Sequence, residues 1–395
     1  MPINNNPDFG NSVLFPAVIL KPHSCLDRAK PMRHLRVPSA ETQHWLELCR
    51  TQNWLQKGAG VLSLEGGLKG IPLSETAPPE SDQCWSNNSI FSAQGLTKGP
   101  EHWSEHLDQK LLQDIGEELP NSYEIQGDIL IVKLEQQTRQ YGNQIAEAML
   151  KQLPSVRLVC ADNGVIGEFR VRDLEPLASR NEDISTITQI KENGVLISTD
   201  PAKVYFSARL SKEREDNLSV AKKLRKQLSR PLRICDPYAG VGPSLASLLT
   251  EDNLVSECYA GDLNPASFEL LKGNIEHFIS KSPNILNELE IKNIDARKWK
   301  DELGNEHKID YLLVNLPHHS IEHLPELLPL LSTEHSTVIR GWAIIDRESL
   351  ALQEGNITSM IELAGGNVEY IRCSEVKGFS SSKIFMRFES WQTFS

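Results

Sequence analysis

The spacing of apolar residues predicts a small α+β module near the start of the chain. From His34 to about Ile71 the pattern reads as a strand, a helix over Ala40 to Asn53, and a strand pair around Gly66-Gly67. The candidate core residues of this helix are Trp45, Leu46 and Leu48. The next segment is rich in Pro, Ser, Asn and Gly, which is typical of a linker.

A second pattern begins near Glu101 and mixes helices with strands. It predicts a helix to about Glu118, an apolar strand in EIQGDILIVKL (124–134), a helix from Tyr141 to Gln152, and a strand at Val156 to Ala161. Two shorter strands flank the turn at 192–194. This order favours an α+β domain.

From about Leu232 short apolar strands alternate with amphipathic helices. The predicted strands are LRICD, SECYAG, LEIKNID, KIDYLLVNLP and TVIRGWAII, a helix follows from Arg347 to Leu363, and an antiparallel pair ends the chain. Such alternation indicates an α/β fold with a Rossmann-like, doubly wound sheet, whose ligands lie at the carboxyl ends of its strands.

These patterns predict five segments along the 395 residues. They are an N-terminal extension (1–32), a small module (33–75), a linker (76–100), an α+β middle domain (101–200) and an α/β C-terminal domain (201–395).

Composition narrows the setting of the protein. No apolar stretch approaches the roughly 20 residues that a membrane helix needs, and no secretion leader is evident, so we expect a cytoplasmic protein without a membrane partner. The seven cysteines form no C-x-x-C pair, which argues against a disulfide framework and a zinc cluster. The pairs His102/His106 and His319/His323 have helical spacing, but local hydrogen bonding explains them better than a metal, and we expect no metal site.

Charge gives a mixed indication about nucleic acids. The net charge of −12 is unfavourable for a nucleic-acid-binding protein, although local patches decide where a polyanion docks. Residues 217–233 hold six basic side chains and no acidic one. This basic stretch is either an RNA contact or a solvated helix face, and the sequence leaves both open.

A glycine loop, Asp236 to Pro243, directly follows a predicted strand and opens a helix. Gly240 and Gly242 allow the backbone to approach a ligand, and Pro243 suits the first helical turn. The loop lacks the third glycine of the dinucleotide fingerprint. A tight turn without a ligand therefore remains an alternative for this loop taken alone.

Polar residues end the next three predicted strands as well. Asp262 can accept hydrogen bonds from ribose hydroxyls, Asp295 can reach an adenine edge, and Asn315 offers a donor and an acceptor beside the rigid Pro317. Four polar groups at successive strand ends indicate a nucleoside-cofactor site.

Six segments resemble the archaeal and eukaryotic tRNA guanine-37 N1-methyltransferase family and its sister, the wybutosine-pathway aminocarboxypropyl transferases. They are IGEFRVRDLEPLA (166–178), DPAKVYFSARLSKER (200–214), DPYAGVGP (236–243), GDLNPAS (261–267), DAR (295–297) and NLP (315–317). The small module at 34–71 is similar to the family's first domain, more weakly.

This resemblance implies a class I methyltransferase domain that binds S-adenosylmethionine. The implied cofactor residues are Asp236, Tyr238, Ala239, Gly240, Gly242, Asp262, Leu263, Asn264, Asp295, Ala296, Asn315 and Pro317.

The resemblance also implies a reaction. Within it, R-L-x-x-E-R (209–214) and N-L-P follow the methyl-transfer branch, which predicts methylation of N1 of guanosine 37 in tRNA. We expect a monomer and predict no protein partner. Glu213 is the implied base, Arg170 stabilises charge on O6, Asn315 orients the base, and Tyr205 packs against the reacting pair. Spacing alone reads Glu213 and Arg170 as surface charges and Tyr205 as a core residue.

Three other functions remain as alternatives: aminocarboxypropyl transfer, tRNA binding without catalysis, and methylation of a small molecule. The resemblance leaves open whether Mg²⁺ assists. The sequence departs from the family at Ala208, where a proline is common, and at 379–383, where the Y-A-P-R-like segment is replaced by FSSSK. The second departure puts the C-terminal contribution to substrate binding in doubt.

Overall fold

The computed structural model describes residues 31–86, 88–97, 99–282, 286–304 and 308–394. They belong to two compact units, Met1–Glu101 and His102–Ser395. The predicted extension at 1–32 lies outside the described residues except for Pro31 and Met32, which belong to the first strand.

The first unit is an antiparallel sheet in the order β3-β4-β1-β5 with one helix against it. Its elements are β1 (Pro31–Pro38), α1 (Thr42–Thr51), β2 (Ala59–Gly60), β3 (Leu62–Leu64), β4 (Leu68–Pro72), β5 (Ile90–Gln94) and β6 (Leu96–Thr97). Trp45 is buried as predicted, and β3 and β4 form the predicted pair around Gly66-Gly67.

The predicted linker at 76–100 is wrong for much of its length. Strand β5 pairs with β1, with Leu35 opposite Ile90, and Trp85 is buried against Trp45 and Trp54. The many turn residues at 76–89 masked the five-residue strand β5 in the sequence pattern. Strand β5 forms because it pairs with the free edge of β1, a segment far away in the chain.

The second unit begins with the sheet β10-β9-β8-β7, and α4 packs on it. Its elements are α2 (Gln109–Ile115), β7 (Tyr123–Gln126), β8 (Ile129–Val132), α3 (Gln136–Arg139), α4 (Gly142–Gln152), β9 (Leu158–Ile166), β10 (Val171–Ser179), β11 (Thr188–Glu192) and β12 (Val195–Thr199). The predicted helix at 141–152 is thus present as α4, and the pair flanking 192–194 as β11–β12.

The larger sheet of this unit has the order β15-β14-β13-β16-β17-β19-β18, parallel from β15 to β17 and antiparallel beyond. Its elements are α5 (Ser211–Leu228), β13 (Leu232–Asp236), α6 (Pro243–Thr250), β14 (Val255–Gly261), α7 (Pro265–Ser280), β15 (Glu288–Lys292), α8 (Trp299–Glu302), β16 (Tyr311–Val314), α9 (Leu324–Leu327), β17 (Thr337–Asp346), α10 (Leu350–Leu363), β18 (Gly366–Gly378) and β19 (Lys383–Phe394). The predicted α/β fold is confirmed.

The chain reverses its direction of strand addition between β13 and β16. It adds β14 and β15 on one side of β13 and then returns to place β16 on the other. Ligands of doubly wound sheets bind at such a switch point, outside the carboxyl ends of the strands. Asp236 and Asn315 end or follow the two strands that flank this point.

The structure shows no separation at the predicted boundary between 200 and 201. Ile197, Val204 and Phe206 lie in the same hydrophobic core as Ile234 of β13. The buried side chain of Asn274, on α7, accepts a hydrogen bond from the Ser198 N–H and donates to the carbonyl oxygens of Ser198 and Val241, at 2.8 Å each. The β11–β12 hairpin therefore completes the core around the larger sheet and does not belong to a separate domain.

None of the helices in the described part of the chain is both long enough and apolar enough to cross a membrane.

Candidate active site

The glycine loop leaves β13 in a conformation that requires its two glycines. Gly240 and Gly242 have positive φ angles of 57° and 84°, which side chains disfavour. A Cβ atom on Gly242 would also lie 2.9 Å from Cδ1 of Leu271. The Ala239 N–H donates to the Gly261 carbonyl at 2.8 Å, so the loop is held against the end of β14.

Asp236 begins this loop as a buried carboxyl group. It is 1% exposed and accepts a hydrogen bond from the Tyr238 N–H at 3.3 Å. Burial, with a smaller contribution from the charge of Asp262, raises the pKa of Asp236 to about 7. A carboxyl group in this state gains most from a cationic partner placed beside it.

Asp262 fastens the glycine loop to the end of β14. Its two oxygens accept the N–H groups of Gly240 and Asn264, each at 2.9 Å. Burial raises the pKa of Asp262, while these hydrogen bonds lower it in part. Asn264 caps α7 and donates from its side chain to the Lys203 carbonyl at 2.8 Å, and Leu263 between them is exposed.

Asp295 follows β15 and is held by its own chain. It accepts hydrogen bonds from the N–H and the guanidinium of Arg297, with the shortest N–O distance at 2.6 Å. These interactions lower the pKa of Asp295 to about 2. The adjacent Ala296 is buried. Asp295 is thus a fixed, ionised acceptor at the third strand end.

The segment 315–317 leaves β16 beside the glycine loop. The Pro317 carbonyl accepts the Ile344 N–H at 2.7 Å, and the Leu316 N–H donates to Oγ of the buried Ser320 at 3.1 Å. Among the residues that the structure describes, the half-buried Asn315 amide has no hydrogen-bond partner. Its donor and acceptor are therefore available on a rigid turn.

Arg170 reaches this same segment from the turn between β9 and β10. It is exposed, has a φ angle of 50°, and places Nη1 3.4 Å from Nε2 of His318. The structure thus brings together Arg170 and the strand end that carries Asn315, two residues separated by 145 positions in the chain.

Glu213 lies on the first turn of α5 in a buried ion cluster. It is 7% exposed, accepts a hydrogen bond from Nε1 of Trp342 at 2.9 Å, and lies 3.4 Å from Arg387 and 3.7 Å from Arg340. Within the described ranges no hydrogen bond joins Glu213 to Arg170 or Asn315. Glu213 and Asn315 are connected only indirectly. Glu213 bonds to Trp342, whose neighbour Gly341 pairs with Val314, the residue before Asn315.

Sequence reasoning missed the partners of Glu213. Arg340 is 1% exposed within an otherwise apolar strand, TVIRGWAII, and Arg387 lies opposite Trp342 on β19. An arginine in a buried parallel strand requires an anionic partner. That signal was present in the sequence, although it did not identify which carboxylate would supply the charge.

Tyr205 and Arg214 show how the segment 200–214 is arranged. Tyr205 is 69% exposed between the buried Val204 and Phe206, so the reading of Tyr205 as a core residue is wrong. Arg214 forms a buried ion pair with Glu192 and donates to the Ser207 carbonyl at 3.0 Å. The second arginine of R-L-x-x-E-R thus ties α5 to the β11–β12 hairpin.

The basic stretch at 217–233 is largely engaged in contacts within the chain. Lys222 pairs with Glu251, Lys223 lies over the Trp391 ring, and Arg225 donates to the Asn253 carbonyl. Arg230 and Arg233 both bind Asp310. These contacts weaken the interpretation of this stretch as an RNA contact.

All four histidines of the two pairs make hydrogen bonds, of which those of His102 and His319 are local in sequence. His102 bonds with Ser104 and His106 with Gln152, while His319 pairs with Glu322 and His323 with the Tyr238 hydroxyl at 2.8 Å. Tyr238 was predicted as a cofactor residue, and its link to His323 connects the glycine loop to the segment after Asn315.

A parallel sheet with a glycine loop after its first strand and acidic residues at the next two strand ends defines a class I methyltransferase domain. The description "TRM5/TYW2 methyltransferase domain" matches residues 188–354, and "TYW2 N-terminal domain" matches residues 103–181. The chain belongs to the TRM5/TYW2 methyltransferase family, as the resemblance predicted.

Sequence relatives carry one description across archaea and eukaryotes. The chain is 33% identical over 246 residues to "tRNA (guanine(37)-N(1))-methyltransferase Trm5b" of Methanocaldococcus jannaschii, covering 61% of this chain and 64% of that protein. It is 30% identical over 290 residues to "tRNA (guanine(37)-N(1))-methyltransferase" of Dictyostelium discoideum, covering 70% and 58%. The matched region therefore spans less than two thirds of each of these relatives.

Solved structures share the fold. A crystal structure of Trm5b from Pyrococcus abyssi covers 92% of this chain and all of its own, with a TM-score of 0.62 at 22% identity. A structure of TYW2 from Pyrococcus horikoshii in complex with MeSAdo covers 74% of this chain and 97% of its own, with a TM-score of 0.58 at 20% identity.

Proposed function

We propose that the chain is a tRNA methyltransferase that transfers a methyl group from S-adenosylmethionine to N1 of guanosine 37. The proposal extends the descriptions of its sequence relatives to this chain. The observation that supports it is the contact between Nη1 of Arg170 and Nε2 of His318 at 3.4 Å, which brings the guanidinium to the segment that follows Asn315.

The residues at the switch point fit S-adenosylmethionine. The buried Asp236 is a suitable partner for the ammonium group of the cofactor, and the two glycines with positive φ leave room for its chain. Asp262 has lone pairs beyond those used by Gly240 and Asn264, and these can accept ribose hydroxyls. Asp295, Ala296 and the exposed Leu263 would border the adenine.

The cofactor supplies an activated methyl group, so the protein must position the guanine and remove its N1 proton. In this proposal Asn315 hydrogen-bonds the base edge and Arg170 stabilises negative charge on O6. Glu213 accepts the N1 proton, and Arg387 and Arg340 lie 3.4 Å and 3.7 Å from its carboxylate. The exposed Tyr205 covers the reacting pair.

Glu213 must turn from Trp342 toward the guanine for this role. Its hydrogen bonds in the described conformation point to β17 and β19. A single side-chain rotation on the first turn of α5 would exchange Trp342 for the substrate, because β17 lies next to the strand that carries Asn315.

We also infer that the protein acts as a monomer in the cytoplasm. The described cysteines, Cys49, Cys84, Cys160, Cys235, Cys258 and Cys373, are free thiols, which suits a reducing compartment.

The test is incubation of the purified chain with labelled S-adenosylmethionine and two tRNA transcripts that differ only in having guanosine or adenosine at position 37. We expect label in the guanosine transcript alone and 1-methylguanosine in its nucleoside digest. A much heavier modified nucleoside would identify the aminocarboxypropyl branch instead. Binding of tRNA without any transfer would identify a non-catalytic relative.

A further inference from the structure

Three loops that are distant in sequence meet at His318. The β9–β10 turn supplies Arg170, the turn between β18 and β19 supplies Phe379, and His318 itself follows Pro317. The ring centroids of His318 and Phe379 lie 6.1 Å apart at an interplanar angle of 82°. Neither His318 nor Phe379 belongs to the motifs that suggested the cofactor site.

His318 is placed to hold Arg170. The guanidinium Nη1 can only donate, so Nε2 of His318 must accept at 3.4 Å and the ring must be neutral. Burial and the positive charges of Arg170, His319 and Lys383 lower the pKa of His318 below its ordinary value of 6.5. A neutral imidazole therefore prevails at physiological pH and orients the exposed guanidinium.

Phe379 presents an exposed ring on a fixed turn. It is 51% exposed. The N–H groups of Phe379 and Ser380 both donate to the Lys383 carbonyl, at 2.9 and 3.0 Å, and the Arg347 N–H binds the Ser382 carbonyl at 2.9 Å. These hydrogen bonds fix the turn, so the Phe379 ring is already ordered before a ligand stacks on it, and binding loses less conformational entropy.

The chemistry around His318 fits a nucleotide. Arg170 and Lys383 contribute positive charge, and the carboxylate nearest in sequence, Glu322, is paired with His319 at 2.9 Å. An aromatic face flanked by cations binds a base by stacking and its phosphate by charge.

We infer that His318 and Phe379 form a nucleotide-binding wall of the active site, with His318 positioning Arg170 and Phe379 stacking on the target purine or the nucleotide next to it. This inference rests on the proposed function, because it assigns the RNA to the same site. It also gives the segment FSSSK at 379–383 a role in place of the family segment that it replaces.

Phe379 is tested by single-turnover methylation of the guanosine transcript over a range of tRNA concentrations. Stacking on one base corresponds to roughly a 5- to 150-fold change in affinity, so Phe379→Ala should raise the apparent Kd for tRNA within that range, while Phe379→Trp should keep it. Tyr370→Ala is the matched control, since Tyr370 is an exposed aromatic residue nine positions earlier on β18. Equal affinities for Phe379→Ala and wild type would overturn the stacking role.

His318 is tested by the maximal rate at saturating tRNA. We expect His318→Ala to lower this rate about 10-fold or more with unchanged cofactor affinity, because Arg170 loses its orientation. His318→Gln should restore most of the rate, since the amide oxygen can accept the same hydrogen bond. A glutamine variant as slow as the alanine variant, or an alanine variant as fast as wild type, would contradict the positioning role.

The outcomes separate this inference from the proposed function. If the wild-type protein methylates guanosine 37 and both alanine variants behave like it, only the inference about His318 and Phe379 is contradicted. A wild-type protein that binds S-adenosylmethionine but modifies no tRNA would remove the proposed function, and the inference with it.

Discussion

At the scale of single residues, Asp236 shows how a site for a charged ligand is prepared. Its carboxyl group is buried before any cation is present, and its pKa of about 7 reflects that burial. The free energy of unfolding is lowered whenever this group must ionise inside the protein.

We predict that Asp236→Asn stabilises the ligand-free protein in a pH-dependent manner. The folded pKa is about 7 against an ordinary value of 3.8, so the stability that the bound proton confers is complete below pH 3.8 and is lost as the pH rises to about 7. Asparagine avoids this loss. Urea unfolding should show a gain at pH 8 that exceeds the gain at pH 5 by about 2 to 3 kcal/mol.

The control for this measurement is Asp252→Asn, at an exposed carboxylate, which should change little at either pH. A gain for Asp236→Asn that is the same at both values would contradict the burial argument. Calorimetry should also show weaker binding of S-adenosylmethionine to Asp236→Asn, since the ammonium loses its counter-charge.

Glu213 is the residue on which the proposed chemistry depends. We predict that Glu213→Gln lowers the methylation rate constant by roughly 10²-fold or more, because a neutral amide cannot accept the N1 proton. Single-turnover kinetics measure this rate. The affinity for S-adenosylmethionine should stay near that of wild type.

Glu215→Gln is the matched control, two positions further along α5, where the side chain is exposed and, among the described residues, pairs with Lys212 alone. A full rate for Glu213→Gln would remove Glu213 from the role of base. Since Asp216 and Glu389 remain near Arg387 and Arg340, the substitution leaves both arginines with a carboxylate partner.

At the scale of elements, a buried carboxylate joins the starts of three strands. Asp310, just before β16, binds Arg230 and Arg233 at the start of β13 and His335 just before β17. Burial raises the pKa of Asp310, but the hydrogen bonds from these partners outweigh burial and lower it. Arg230 and Arg233, two arginines of the basic stretch, thus stabilise the sheet through Asp310 instead of binding a polyanion.

We predict that Asp310→Asn destabilises the protein by roughly 1 to 3 kcal/mol at neutral pH, since it removes the buried carboxylate that Arg230 and Arg233 bind, while the partial exposure of both arginines limits the loss. Denaturant unfolding measures the loss, and Asp301→Asn at an exposed carboxylate is the control. The lowered pKa means that the contribution of Asp310 is present above pH 3.8 and is lost as the pH falls further. A loss below about 1 kcal/mol would show that Arg230 and Arg233 are satisfied without Asp310.

At the scale of the whole molecule, the sequence predicted what depends on local periodicity. The alternation after Leu232 predicted the strands β13 to β17 and the terminal pair. Asp236 and Asn315 lie at the switch point, and Asp262 and Asp295 follow the two strands beyond β13. Strand β5 was missed, and residues 188–200 were assigned to the middle domain although they pack with the C-terminal one, because both depend on pairing and packing with distant segments.

The candidate site, like the fold, was only partly predictable from the sequence. The glycine loop, Asp262 and Asp295 follow from residue types at strand ends, whereas Glu213 and Arg170 required the family resemblance. Arg340, Trp342 and Arg387 were not predicted as partners of Glu213, because their contacts join β17 and β19 to α5 across more than 120 residues.

The amide of Asn274 has a consequence for how this enzyme fold opens. This one side chain forms hydrogen bonds with the backbone of Ser198 in the β11–β12 hairpin and with the backbone of Val241 in the glycine loop. A fluctuation that separates the hairpin from Asn274 would therefore also loosen the glycine loop, where we propose that the methyl donor binds. Amide exchange in residues 188–199 and in 239–242 should therefore slow together when the donor binds, and Asn274→Ala should let the two segments exchange at unrelated rates.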